Sequence, residues 1–312
     1  MSSKADQPFS KIRKYLSYII SILVICLIGL YVYNNAEKLN HLFNLSIHIL
    51  FLLIFFILLN FLLRGLTNFY LYRLFSINLL LPESVALAVL NIIGNQLPLA
   101  GGMVAKGVYL KHKYQLSFSY YLPVTAALYV CFIGVSGLIG LTTLFYLYIA
   151  SNTPFYWPLW VGFSGFIGGM ACLWLPIKSG IFPDRFRNRL SELNSGWRAL
   201  GRNPTLLLRL CFFQILILTV IGTRYFHEFQ IVSQDVAFSH CLLFSASTIL
   251  SRLLSFAPGA IGFREGIVGL VSEMLGFDFA LGAIVVIIDR LLTIIAAGFL
   301  SLLYFNLMPD KR

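Results

Sequence analysis

The chain has 312 residues, of which 59% are hydrophobic and only 11% charged, with a mean hydropathy of +0.84 and a net charge of +11. Soluble domains carry about 25% charged residues, so this composition excludes a soluble enzyme and requires a polytopic membrane protein. The five cysteines stand singly inside apolar stretches, without the spacing of a metal site or a disulfide framework.

A basic segment, residues 1–14, precedes a charge-free run from Tyr15 to Ala36, which is long enough for a first span and lacks a cleavage signal close behind it. Leu39 to Leu63 predicts the second span, ending at Arg64. The stretch Pro82 to Tyr114 is different. Its helix before Pro98 has only about 15 residues, some 22 Å at 1.5 Å per residue, too short to cross a bilayer. Pro98, Gly101 and Gly102 break it and a second helix follows. Tyr114 to Ile177 holds no charge and provides two spans, turned at "ASNTPFYWP" (Ala150 to Pro158). Pro204 to about Phe229 gives the next span. Asp235 to Asp278 is broken again, at Pro258, Gly259 and Gly262, and Phe279 to Met308 gives the last span. The expected architecture is all-α and polytopic: six full spans and two re-entrant broken-helix hairpins in one transmembrane domain, residues 15–310.

Lys and Arg orient this arrangement. If both hairpins dip in and return, the N-terminal segment, Arg64, Arg73, Lys106, Lys111, Lys113, the Lys178–Arg202 stretch, Lys311 and Arg312 all fall on the cytoplasmic side. The uncharged 151–158 turn and the polar stretch with Arg224, Glu228 and Asp235 fall outside. Both termini are then cytoplasmic. The net positive charge is read first as this anchoring, with an anionic substrate or lipid as the second reading.

The two broken segments resemble each other. "LPLAGG" (Leu97 to Gly102) lies over "APGAIG" (Ala257 to Gly262) with a shift of 160, which also carries Arg64 onto Arg224. Each half, about 15–150 and 155–308, reads span, span, broken hairpin, span. Three crossings per half invert the second half relative to the first, and inverted repeats with discontinuous helices are how many transporters build a central site. Broken backbone is tolerated at membrane depth where it is buried in protein or lines a cavity. The helices starting near Gly102 and Gly262 would point their positive ends toward that centre, where the two hairpins would meet, and such ends favour anions.

Asp289 and Arg290 sit about ten residues into the last span. As sequence neighbours they do not face one another, so each needs its own partner: Arg252 or Arg264 for Asp289, and Glu265 for Arg290. Buried charges of this kind are functional or paired. Arg64 carries Asn60 and Asn68 four residues to either side, and Arg224 carries Glu228 at i+4. Both arginines read either as site residues or as interfacial side chains reaching for water. Asn91, Asn95 and Gln96 are spaced to face the first break, as ligands or as caps for its freed backbone. Lys106 is suited to a phosphate or to the cytoplasmic surface. The histidines form no ligand pair, and no nucleophile–base constellation, nucleotide loop, metal or cofactor signature is present in the sequence.

Three segments, "GNQLPLAGGMVAKGVYL", "SFAPGAIGFREGIVGL" and "IIDRLLTIIAAG", together resemble the lysylphosphatidylglycerol synthase transmembrane, or flippase-like, family, over about residues 10–308. Pro258 to Glu265 is the best match, and Arg290 fits the arginine typical of the last span. In the first hairpin Met103 stands where the family usually has glutamate, and Lys106 takes the basic role. The aminoacyl-lipid synthase domain is not in the chain. The resemblance therefore implies lipid translocation rather than lysyl transfer, and a prokaryotic cytoplasmic membrane. The expected function is a non-enzymatic flippase for an anionic-headgroup lipid, a phospholipid or a polyprenyl-phosphate-linked lipid. The expected lipid contacts are Arg64, Asn95, Lys106, Arg224, Arg252, Arg264, Glu265, Asp289 and Arg290. No nucleic acid, cofactor or metal is expected. The rival readings are a membrane scaffold for a lipid-modifying synthase or glycosyltransferase, and an integral enzyme acting on lipid headgroups.

Overall fold

The computed structural model describes residues 47–95, 101–150, 154–172, 200–232, 234–253 and 262–307, with Arg198. The predicted first span, residues 1–14 and 173–197, Gln96, and the break residues Pro98, Pro258 and Gly259 lie outside these, as does the side chain of Arg252.

Every defined element among the described residues is a helix. Four are long and apolar enough to cross a membrane: α1 (Ile47–Arg73), α4 (Phe118–Ala150), α6 (Pro204–Ile231) and α9 (Phe279–Leu307). With 27, 33, 28 and 29 residues, each exceeds the roughly 30 Å hydrocarbon layer at about 1.5 Å per residue. Between them lie α2 (Leu81–Gly94), α3 (Gly101–Tyr114), α5 (Trp157–Cys172), α7 (Phe238–Leu253) and α8 (Phe263–Met274). The protein is an all-α, multi-pass membrane protein.

The surface is apolar and the interior holds the polar groups. Phe51, Phe55, Leu58 and Leu62 form an exposed stripe on α1, and Leu291, Ile295, Phe299 and Leu302 form one on α9. Spacings of three and four put each set on one helix face. Asn60, Thr67, Asn68, Gln214, Arg224, Glu228 and Asp289 are buried instead. In hydrocarbon there is no water to satisfy such groups, so they are driven to face one another.

Sequence reading ended the second span at Arg64. The helix in fact runs nine residues further, to Arg73. The polar stripe around Arg64 lies within one continuous helix, with Asn60 and Asn68 turned into the protein. Arg224, left open between a site residue and an interfacial side chain reaching for water, lies inside α6 and is 3% exposed, which excludes the second.

Each short helix pair is an antiparallel hairpin. The start of α2 meets the end of α3, where Glu83 accepts hydrogen bonds from Tyr109, Lys113 and Tyr114. At the other end Gly94 and Gly102 touch through backbone: a Cβ on Gly94 would lie 2.6 Å from the Gly102 Cα. In the second pair, His240 and Phe244 near the start of α7 pack on Phe277, just after α8. Both hairpins thus return the chain to the level at which it entered.

The elements recur in order. Long helix, two short helices and long helix (α1, α2, α3, α4) are followed, after α5, by the same series (α6, α7, α8, α9). The packing recurs as well. α2 packs on α1 and α7 on α6; α2 also touches α9, the last helix of the other series, and α7 touches α4. α1 and α6 cross antiparallel, since Phe56 stacks on His227 at 6.3 Å and Tyr70 on Phe213 at 5.6 Å. Glycines set the α4–α5 seam, where a Cβ on Gly137 would lie 2.8 Å from the Phe163 carbonyl oxygen.

Candidate functional site

The seam between α1 and α6 is flanked by two polar clusters, one from each series. Their chemistry differs.

The first is built by α1, α2 and α3. The side chains of Arg64 and Asn68 share a face of α1 because they are four residues apart. Arg64 Nε donates to Asn60 Oδ1 at 2.7 Å. Asn68 donates through Nδ2 to the Ser84 carbonyl at 3.1 Å and accepts from Lys106 Nζ at 2.9 Å. Lys106 is 8% exposed and its ammonium lies 5.4 Å from the centroid of the Tyr72 ring. An amide and a ring face hold the lysine; among the described residues no carboxylate pairs with it. Arg64 adds a second positive charge that acts on the same group. Asn95, at the C-cap of α2, brings its Oδ1 to the Gly102 backbone, and its N–H bonds to the Asn91 carbonyl. It closes the hairpin and supplies a cap.

The second cluster is built by α6, α8 and α9 and is rich in carboxylates. Asp289, 0% exposed, accepts from Arg224 through Oδ1 and from Arg264 through Oδ2, the latter at 2.9 Å. Arg264 also donates to the Tyr225 hydroxyl at 2.7 Å. Arg290 pairs with Glu265 at 3.0 Å. The other oxygen of Glu265 accepts the Gly262 N–H at 2.8 Å, so this carboxylate caps the helix it belongs to. Gly262, at φ +83°, takes the left-handed turn that starts α8. A carboxylate in that first turn also suits the helix dipole.

Of the residues singled out in the sequence, the structure brings Arg224, Arg264, Glu265, Asp289 and Arg290 into the second cluster and Arg64 and Lys106 into the first. Asn95 and Gly102 lie in the backbone contact of the first hairpin, Gly101 begins α3, and Gly262 caps α8. Arg264 and Glu265 fulfil the expected pairings with Asp289 and Arg290, and Arg224 joins as a second partner of Asp289.

Two groups were missed. Glu228 is 0% exposed on α6, although its i+4 spacing from Arg224 was visible. Glu83 anchors the mouth of the first hairpin, with partners 26 to 31 residues away in sequence. Burial pulls the Glu83 carboxyl upward, but hydrogen bonds from Lys113, Tyr109 and Tyr114 outweigh it and hold the group below its ordinary value. Its place in the first turn of a short helix was the available signal.

No curated protein and no solved structure matches the chain significantly. Residues 16–301, nearly its whole length, match the family described as the lysylphosphatidylglycerol synthase TM region. With the resemblance of its two hairpins and last helix, and with the described helices of this multi-pass fold, the chain belongs to the lysylphosphatidylglycerol synthase transmembrane family.

Proposed function

We propose that the protein is a flippase-type transporter that carries a lipid with an anionic headgroup across a prokaryotic cytoplasmic membrane. The observation that carries this reading is Lys106. A desolvated ammonium costs several kcal/mol unless a counter-charge meets it, yet this one is held by an amide and an aromatic ring, beside Arg64, at the inner end of a hairpin. A phosphate diester is the counter-charge that such a pocket accommodates, because it accepts from Lys106 and Arg64 together.

The recurring element order, the antiparallel crossing of α1 and α6, and the two returning hairpins support an inverted repeat with both hairpins re-entrant. Lipid would then pass along the α1–α6 seam while its acyl chains stay in the bilayer. Both termini are cytoplasmic in this reading, and any driving force comes from an ion gradient, the membrane potential or the lipid gradient.

Reconstitution tests it. Purified protein in phosphatidylcholine vesicles carrying a trace of head-labelled phosphatidylglycerol should expose inner-leaflet label to an impermeant quencher, and Lys106→Met should slow this about tenfold or more. Label that stays protected with well-folded protein sinks the reading. Unchanged stimulation of an added lipid-modifying enzyme in that case would favour the scaffold instead.

A further inference from the structure

The second cluster leaves one acid over. Its arginines, Arg224, Arg264 and Arg290, pair with Asp289 and Glu265. Glu228 is fully buried, and no donor group among the described residues reaches either of its carboxyl oxygens, while the Asp289 carboxylate lies beside it. The Nε atoms of Arg224 and Arg264 are also unpartnered.

The surroundings of Glu228 restrict its charge. α9 brings Asp289 and α8 brings Arg264 to act on it; its own helix contributes Arg224 and Tyr225, and α7 contributes Cys241. α1 meets this end of α6 with Phe56, against His227. α4 places Cys131 near Cys211, toward the opposite end of α6. An ionised carboxylate without a hydrogen bond is among the most costly groups to bury, whereas the neutral acid costs far less.

Charge balance then links proton and anion. With Glu228 protonated, the cluster carries three cations against two anions; with Glu228 ionised, it is neutral. Ionised, Glu228 would draw on Arg224, its i−4 neighbour on the same helix face, and so compete with any incoming anion for that guanidinium. The crossing of α1 and α6 sets Arg224 near the level of Asn60, which holds Arg64, so a headgroup at Lys106 and Arg64 lies along the same seam. We propose that Glu228 is the proton-binding site of the transporter: a bound monoanionic headgroup holds the proton there, and at a pH high enough to ionise Glu228 in the free protein each headgroup that binds brings one proton with it and releases it on leaving. Linkage makes the effect reciprocal: the bound proton raises anion affinity by the factor by which the anion raises proton affinity. This rests on the anionic-lipid reading above.

Calorimetric titration of the purified full-length protein in detergent tests it, with dioctanoyl phosphatidylglycerol as the probe and dioctanoyl phosphatidylcholine as the uncharged control. Performed at steps between about pH 6 and 9, in two buffers of different ionisation enthalpy at each step, it reads protons taken up per lipid. The expected result is an uptake that rises with pH toward about one per lipid for the native protein and stays at about none for Glu228→Gln, with affinity falling up to about tenfold per pH unit only in the former, as one-proton linkage requires. Phosphatidylglycerol binding without proton uptake by the native protein overturns the coupling and leaves the lipid reading intact; this arm needs no variant. Uptake that persists in monodisperse Glu228→Gln assigns the proton elsewhere and also overturns it. Absence of selective phosphatidylglycerol binding by the native protein removes the lipid reading and the coupling together.

Discussion

Asp289 is held between two arginines from different helices, Arg224 of α6 through one oxygen and Arg264 of α8 through the other. One carboxylate therefore ties the second hairpin to two membrane-spanning helices. Asp289→Asn would leave a buried guanidinium, Arg224, and a partly buried one, Arg264, beside a neutral amide. Breaking a buried ion pair from one side costs about 3–5 kcal/mol, so a large drop in thermal unfolding temperature in detergent is expected. Removing Arg224 as well, in Asp289→Asn/Arg224→Gln, should recover part of that loss. Additive losses would show that the pair is not coupled.

Lys106→Met should separate binding from stability. A structural lysine would destabilise the fold when replaced. A lysine held for a ligand's charge should instead leave unfolding unchanged or raise its midpoint, because a desolvated cation is replaced by an apolar chain of similar length. Anionic-lipid affinity should fall about tenfold to a hundredfold, the range of a charge-assisted hydrogen bond of about 1.5–3 kcal/mol. Parallel unfolding and binding titrations check both signs.

The mouth of the first hairpin should be acid-labile. Glu83 is held below its ordinary value of 4.5 in the folded protein. The carboxylate therefore contributes its full stabilisation at pH above that value. The contribution declines as pH drops below 4.5 and through the lower folded-state value. Unfolding midpoints measured between about pH 3 and 6 should fall more steeply for the native protein than for Glu83→Gln, which has no proton to gain. Parallel curves would exclude Glu83 as the titrating group.

The two hairpins should respond oppositely to added methyl groups. A Cβ on Gly102 would come within 2.1 Å of the Asn91 carbonyl oxygen and 2.7 Å of Asn95 Oδ1. Gly102→Ala should therefore cost about 1–3 kcal/mol by overpacking and force α2 and α3 apart. Gly266 in α8 has nothing within 4 Å of such a Cβ, so Gly266→Ala should be neutral or stabilising by up to about 1 kcal/mol through helix propensity. Unfolding midpoints of the two variants suffice.

Much of this layout was legible because hydrocarbon enforces simple rules. Apolar length marked the long helices, and proline with glycine marked where α3 and α8 begin. The rule that adjacent helical residues point apart led correctly to separate partners for Asp289 and Arg290, and two of the proposed partners, Arg264 and Glu265, are the ones found. The failures share a cause. Arg64 and Arg224 stayed open between site residues and interfacial side chains, because a polar face turned toward another helix looks the same in one dimension as one turned toward the membrane surface. Glu83 and Lys113 meet only because α2 and α3 fold back on each other, and no local pattern encodes that register. Glu228 was visible as the i+4 companion of Arg224, but its lack of a hydrogen bond depends on Arg224 turning to Asp289, 65 residues away.

The repeat has a last consequence at the pair of positions that the 160-residue shift lays over one another, Asn68 and Glu228. Both are buried, one turn beyond an arginine. The first is an amide, which donates to Ser84 and accepts from Lys106, and it has no proton to exchange at any physiological pH. The second is an acid. An amide at one position and a carboxyl, one methylene longer, at the other give one side of the seam a fixed polarity and the other an adjustable one. In the proposed transporter the two clusters would therefore differ in their answer to acid: a proton gained at Glu228 changes the charge of one cluster and leaves the other as it was.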